Sequence, residues 1–117
     1  MLGQENWSAN WNRRDVEAVL AHFADTAEFV SPVAERYAGS ATLSGKAAIG
    51  DYWRAAVARI DVLEFTLDHA SWDAELLELT VVYAGNLNGD KKRTCEIMRF
   101  APDGLQIRGE ALYGAGA

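Results

Sequence analysis

The spacing of apolar residues changes once along this chain of 117 residues, close to residue 60. Before that point a run of apolar residues recurs at intervals of three and four, which predicts a helix. Its members are Ile49, Tyr52, Trp53, Ala56, Val57 and Ile60. Beyond residue 60 apolar and polar residues alternate, which predicts strands over 63–71, 75–85, 93–100 and 105–113. Turn-forming residues at 86–90 and 102–104 join these strands as hairpins, so the second half is predicted to be an antiparallel sheet.

The first half of the chain is predicted to supply two further helices. Trp7 and Trp11 are four residues apart and share one face of a first helix that begins near residue 4. Asp15 is placed to cap a second helix that extends to about residue 24. Its apolar stripe consists of Val16, Val19, Leu20 and Phe23. Ser44 is a candidate cap for the helix over 49–60.

One short strand is predicted between these helices, over 27–31, and Pro32 ends it. Residues 34–44 are small and polar and are predicted to form a loop. No linker or repeat divides the sequence, so residues 1–117 are expected to form a single domain. The order of elements predicts an α+β fold with three helices on one face of a curved sheet.

The charge and the cysteine count exclude several partner classes. The formal net charge is -6, and the only basic run, Lys91 to Arg93, lies beside a turn, so no nucleic-acid partner is expected. No apolar run approaches the ~20 residues that a membrane span requires, so no membrane association is expected. Cys95 is the only cysteine, which excludes an internal disulfide and fits a reducing, cytoplasmic location.

Strand alternation places one carboxylate in an apolar setting. Glu96 shares a strand face with Met98 and Phe100, and its predicted neighbours across the sheet include Tyr83 and Tyr113. If this face packs against the helices, burial will raise the pKa of Glu96, and the neutral acid can donate a hydrogen bond to a ligand. Alternatively, Glu96 pairs with an arginine or points to solvent at a sheet edge.

The opposite face of the predicted sheet is also half apolar. Its apolar members are Leu76, Val82, Cys95, Ile97 and Leu112. A second copy of the chain covering this face would remove it from water, which predicts a homodimer. Simple tolerance of exposed apolar residues is the alternative.

Several segments of the sequence together resemble NTF2-like domains, and most closely the ketosteroid isomerase and SnoaL-like branch. They are residues 14–25, 30–33, 44–49 and 96–100, followed by Asp103-Gly104, Ile107 and 111–114. The resemblance covers nearly the whole chain, with an insertion of about five residues in the loop 34–44. It implies a cystatin-like cone, in which three N-terminal helices pack on a curved, mainly antiparallel sheet and enclose a pocket.

The resemblance also assigns functional positions one by one. Glu96 falls where the isomerases hold an oxyanion-stabilising carboxylic acid. Their general base is replaced by Ser31, whose hydroxyl cannot take a carbon-bound proton at neutral pH without a base of its own. The oxyanion tyrosine is replaced by Trp7, which donates one N–H and cannot shuttle a proton. A supporting tyrosine is replaced by Trp53. Steroid isomerisation by the family mechanism is therefore not expected.

Three functions remain open on this basis. The first is binding, with or without catalysis, of a small hydrophobic molecule in an apolar pocket with Glu96 as its polar anchor. The second is a non-catalytic homodimeric module whose cavity is filled by side chains. The third is a hydrolase or dehydratase that activates a water held between Glu96 and Ser31. The predicted ligand-binding residues are Trp7, Trp11, Phe29, Val33, Trp53, Leu79, Val81, Tyr83, Met98, Ala111 and Tyr113.

No cofactor or metal site is predicted. His22 and His69 are the only histidines and have no ligand spacing, and no glycine-rich phosphate loop is present. An Asp–Arg–Asp set of the epoxide-hydrolase kind would have to draw on charged residues that alternation places opposite Glu96. These are Glu78, Arg99, Arg108 and Glu110, and they are predicted to form surface pairs.

Overall fold

The computed structural model describes residues 4–116, which form an α+β fold with six strands in one sheet. The elements are α1 (Gln4–Asn12), α2 (Val16–Leu20), β1 (Phe23–Val30), α3 (Pro32–Ala38), β2 (Thr42–Ser44), α4 (Lys46–Arg59), β3 (Leu63–Asp73), β4 (Glu78–Leu87), β5 (Asp90–Phe100) and β6 (Gln106–Gly116). The strand order is β2-β1-β6-β5-β4-β3. Only the β1–β6 pair is parallel within this sheet, so the predicted α+β, mainly antiparallel architecture is confirmed.

The hairpins form where the turn residues predict them. Asn88 and Gly89 adopt positive φ angles of 55° and 89° between β4 and β5, the conformation that a tight hairpin turn demands. The Asn88 side chain also accepts hydrogen bonds from the backbone N–H groups of Asp61 and Val62, at 2.9 and 2.8 Å. The hairpin is thereby tied to the segment that follows α4. Leu76 lies in the turn before β4 rather than in a strand.

The second helix is shorter than predicted. Asp15 caps it as expected, because its carboxylate accepts a hydrogen bond from the Ala18 N–H at 3.0 Å. However, α2 ends at Leu20, and Phe23 begins β1 instead of closing the helical stripe. The His22 carbonyl accepts from the Gln106 N–H at 2.8 Å, so pairing with β6 takes the place of a further helical turn. Phe23 is buried in β1 and would also be buried on the apolar stripe of a helix. Its apolar character therefore does not distinguish a strand from a helix.

The predicted loop over 34–44 is wrong, because α3 and β2 occupy most of it. Ser31 caps α3 by accepting a hydrogen bond from the Val33 N–H at 3.2 Å, Pro32 begins the helix, and left-handed Gly39 ends it. Ala34 is the one buried residue of α3, so no apolar stripe marks the helix. The fold therefore has four helices within the described residues, where three were predicted.

The start of α4 is also corrected. Ser44 belongs to β2, and Gly45 stands at the N-cap of α4 without a side-chain cap. The other end of α4 is held by Arg14, whose guanidinium donates to the carbonyls of Val57, Ile60 and Asp61 at 2.5–3.0 Å. These hydrogen bonds tie the turn between α1 and α2 to the C-terminal end of α4. The packing of α4 against the inner face of the sheet fixes where a cavity can form.

Candidate functional site

Cross-strand rows of side chains cover the inner face of β4, β5 and β6, where the helices pack. From the open end inward, the first row contains Gly85 and Lys92, and the second contains Tyr83, Thr94 and Tyr113. The third contains Val81, Glu96 and Ala111, and the fourth contains Leu79, Met98 and Gly109. We call the second the tyrosine row and the third the Glu96 row. Their order sets how deep each side chain lies.

A cavity of about 960 Å³ opens between α3, α4 and the first two rows. Phe65, Tyr83 and Thr94 line it from the sheet, and Val33 and Tyr52 line it from the helices. This volume falls at the upper end of the range for small-molecule sites, which is about 300–1,000 Å³. The cavity walls are mostly apolar, with hydroxyl groups and a few charged side chains among them.

Three of the predicted ligand-binding residues line this cavity, namely Val33, Tyr83 and Tyr113. The other eight do not, and they lie in the buried core: Trp7, Trp11, Phe29, Trp53, Leu79, Val81, Met98 and Ala111. Edge-to-face rings fill the closed end of the fold, with Trp53 packed at 5.0 Å from Trp11 and 5.2 Å from Phe29. The sequence shows which aromatic residues point inward. It does not show which of them pack against one another and which face an open cavity.

Glu96 lies one row below the cavity. It is only 6% exposed and is not among the cavity-lining residues. The Trp7 indole N–H donates a hydrogen bond to its carboxyl group. Burial raises the pKa of Glu96 to about 8, and the Trp7 hydrogen bond opposes that rise without cancelling it. The inward orientation predicted from strand alternation is confirmed, and the group is mostly a neutral acid at pH 7.

The tyrosine row separates Glu96 from the open cavity. Burial, and next the nearby charge of Glu96, raise the pKa of Tyr83 well above its ordinary value. Burial also raises the pKa of Tyr113, a Ser31 hydrogen bond opposes the rise, and Glu96 adds to it. Tyr83 and Tyr113 are therefore the cavity-lining groups whose pKa values rise when Glu96 is ionised.

Ser31 is 1% exposed and does not line the cavity. Its hydroxyl caps α3 and also hydrogen-bonds to Tyr113, which does line the cavity. The structure therefore joins Ser31 to the cavity through Tyr113. Pairing of the neutral acid with an arginine, the alternative for Glu96, does not occur among the described residues, since its hydrogen bond comes from Trp7.

The charged residues predicted to lie opposite Glu96 form surface pairs. Arg99 and Glu78 pair across β5 and β4 at 2.7 Å, and Arg108 lies 3.7 Å from Glu110 along β6. Across residues 4–116, no cluster of three His, Cys, Asp or Glu side chains could hold a metal ion. No helix in that range is both long enough and apolar enough to cross a membrane.

Apart from Val33, sequence reasoning missed the cavity residues of α3, above all Arg36 and Tyr37. Their helix was predicted to be a loop, because its polar sequence hides the helical period. A serine before a proline and a glycine seven residues later are helix start and stop signals, and they could have located it.

Comparison with known proteins agrees with this geometry. The SnoaL-like domain family matches residues 5–108. A SnoaL-like protein of unknown function from Burkholderia thailandensis E264 is 32% identical in sequence, with a TM-score of 0.83 over 93% of this chain and 88% of that one. No curated protein sequence matches the chain.

Two more distant structures share the fold. A steroid delta-isomerase from Pseudomonas aeruginosa is 17% identical, with a TM-score of 0.73 over 95% of this chain and 76% of that one. A computationally designed 17-OHP binder is 18% identical, with a TM-score of 0.76 over 97% of this chain and 88% of the design. The resemblance to NTF2-like and ketosteroid isomerase-like proteins is confirmed, and the chain belongs to the SnoaL-like domain family.

Proposed function

We propose that this chain binds a small hydrophobic molecule in the cavity between α3, α4 and the sheet. The observation that carries the proposal is the open volume of about 960 Å³ in front of an aromatic wall formed by Phe65 and Tyr83. Most of the surface that lines this volume is apolar, as in the clefts that bind small molecules. A designed protein of the same fold is a 17-OHP binder, which supports a small-molecule binding role for this chain.

Glu96 is proposed as the polar anchor of this site, acting from behind the tyrosine row. A ligand oxygen in the cavity meets the hydroxyl groups of Thr94 and Tyr113 first. The electrostatic interaction of Glu96 with Tyr83 and Tyr113 lets its protonation state influence those hydroxyls. Direct contact with Glu96 requires the Trp7 hydrogen bond or a tyrosine ring to move.

Steroid isomerisation is not part of the proposal. Ser31, at the position of the family base, is already engaged with the Val33 N–H and with Tyr113. Trp7, at the position of the oxyanion tyrosine, donates its N–H to Glu96 rather than into the cavity. A neutral carboxylic acid can still donate a hydrogen bond, so catalysis that polarises a ligand oxygen is compatible with the site.

Two alternative functions depend on other parts of the structure. A non-catalytic dimer would use the outer sheet face, where Val82, Cys95 and Leu112 form one cross-strand row. A reducing, cytoplasmic location would keep Cys95 of that row a thiol. Sedimentation velocity tests the dimer, and a monomer at every concentration would contradict it. A hydrolase would need water between Glu96 and Ser31, and turnover of an epoxide or ester that is lost in Glu96→Leu would support it.

The binding proposal is tested by filling the cavity from the sheet. Gly85 lines the cavity, and a Cβ placed there would meet Tyr83, Phe65 and Thr94 at ordinary contact distances of 3.4–3.7 Å. Gly85→Leu should therefore occupy the space with little backbone strain. Ala84→Leu adds the same side chain to the other face of β4 and is the matched control.

The probe is phenylnaphthylamine, a neutral dye whose fluorescence rises in apolar surroundings. Gly85→Leu should weaken its binding by about tenfold or more, because the loss of a well-shaped apolar contact costs on the order of 1.4 kcal/mol. Ala84→Leu should bind as the wild type does. Equal binding by wild type and Gly85→Leu would contradict the site and favour the filled-cavity module.

The role of Glu96 is tested separately with a panel of phenols, ketones and sterols, followed by tryptophan fluorescence. Trp7 reports the site, because its ring lies 5.1 Å from Tyr83 and 5.7 Å from Phe65, both of which line the cavity. Glu96→Gln keeps a hydrogen-bonding group and should retain binding, whereas Glu96→Leu should weaken it for oxygen-bearing ligands. Equal affinity in both variants would remove Glu96 from the site and leave the cavity proposal intact.

A further inference from the structure

The charged side chains that line the cavity are not balanced. They are Arg36, Asp51, Arg59, Asp90 and Lys92. Asp51 lies 3.2 Å from Arg54, and Asp90 lies 3.6 Å from Lys92, so both carboxylates already face a cation. The two cavity-lining groups left over are the guanidinium groups of Arg36 and Arg59.

Within the described part of the chain, neither arginine is paired with a carboxylate. Among the side chains that the structure describes, no carboxylate oxygen lies within the 4.0 Å ion-pair distance of Arg36 or Arg59. The imbalance is notable in a chain with 17 acidic residues against 11 basic ones. Other arginines do find acids, since Arg54 binds Glu17 at 2.7 Å and Arg93 binds Asp68 at 2.9 Å.

The two arginines reach the cavity from different helices. Arg36 lies in the last turn of α3 and Arg59 in the last turn of α4. Cations are favoured at helix C-termini, which explains why the residues are basic but not why both side chains line the cavity. The Arg59 guanidinium carbon lies 5.9 Å from the centre of the Tyr37 ring, a cation–π distance that holds this side chain at the cavity.

We propose that the ligand is an amphipathic anion, with an apolar body in the cavity and a carboxylate or sulfonate group bound by Arg36 and Arg59. This inference rests on the proposed binding function and names the class of its ligand. A planar guanidinium group matches the two oxygens of such an anion and is less strongly hydrated than an ammonium group. The apolar wall formed by Phe65 and Tyr83 would bury the remainder of the molecule.

The test uses two dyes that differ in one charged group. Anilinonaphthalene sulfonate is phenylnaphthylamine with a sulfonate added, and both dyes fluoresce in apolar sites. In the double variant Arg36→Gln, Arg59→Gln, the affinity for the sulfonate dye should fall by about tenfold, the upper expectation for two exposed ion pairs. The affinity for phenylnaphthylamine should stay within about twofold, since the apolar wall is unchanged.

Arg99→Gln is the matched control, because it removes a positive charge on the outer sheet face and neither Arg99 nor its partner Glu78 lines the cavity. It should leave both affinities unchanged. A salt titration of the wild type provides a second measurement that needs no variant. Binding of the sulfonate dye should weaken as sodium chloride is added, and binding of the neutral dye should not.

The outcomes separate the two proposals. Loss of sulfonate binding alone in the double variant supports an anionic ligand. An unchanged sulfonate affinity, or an equal loss in Arg99→Gln, overturns the anion inference while phenylnaphthylamine binding still supports the cavity. Failure of both dyes to bind the wild type overturns the binding function and the inference with it.

Discussion

The two ends of the fold use aromatic side chains in opposite ways. At the closed end, rings pack edge to face, with Trp53 in contact with Trp11, Phe23 and Phe29 at 5.0–5.3 Å. At the open end, Tyr37 and Tyr52 line a cavity and leave space in front of the sheet. The closed end stabilises the fold, and the open end is available for binding. The Glu96 row lies between them.

The largest effect is expected from a substitution that disrupts the ring packing at the closed end. Trp53→Ala should lower the free energy of unfolding by about 3–5 kcal/mol, because it deletes a large, 5% exposed ring and leaves a void among three others. Tyr52→Ala, at the adjacent half-buried position, should cost roughly 1–2 kcal/mol, since the space beside it is already open. Urea unfolding of both variants measures the difference. Equal losses would mean that the two ends are packed alike.

The second effect comes from Glu96 and depends on pH. The folded chain keeps this carboxyl proton up to a pKa of about 8, whereas the unfolded chain releases it near 4.5. Between these values the folded state binds more protons, so raising the pH favours the unfolded state. This group's contribution to stability is complete below pH 4.5 and is lost as the pH rises to about 8, at a slope of up to about 1.4 kcal/mol per pH unit.

Glu96→Gln should remove that slope, because its amide does not titrate, and it should be more stable than the wild type near pH 8. Urea unfolding across this interval measures the slope directly. Glu78→Gln changes a carboxylate on the outer sheet face, paired with Arg99, and is the control that should keep the wild-type slope. A wild type whose stability does not fall toward pH 8 would place the Glu96 carboxyl in contact with water.

The parts of this structure that the sequence predicts are those that depend on local spacing. The helix over 49–60 and the strands beyond it follow from apolar periodicity, and the burial of Glu96 follows from strand alternation. The helix α3 was missed, because it buries only Ala34 and carries no stripe. The depth of the cavity was missed as well. It depends on which rings pack against one another, and sequence spacing does not contain that information.

The smallest expected effect lies at the junction of the two ends. Ser31 caps α3 and hydrogen-bonds to Tyr113, so Ser31→Ala removes two interactions and should cost about 1–2 kcal/mol of unfolding free energy. Tyr113→Phe removes only the second and should cost less than about 1 kcal/mol. Urea unfolding of the two single variants and the double variant forms a cycle that isolates the hydrogen bond.

If Tyr113 stabilises the fold only through its hydrogen bond to Ser31, that bond is already lost in Ser31→Ala. The unfolding free energy of the double variant should then lie within a few tenths of a kcal/mol of that of Ser31→Ala. Because α3 carries Val33 and Arg36 to the cavity, loss of its cap should also weaken dye binding slightly. Tyr113→Phe leaves the cap in place and should preserve binding of the neutral dye. Full additivity of the two single changes would mean that Ser31 and Tyr113 stabilise the fold independently, without a hydrogen bond between them.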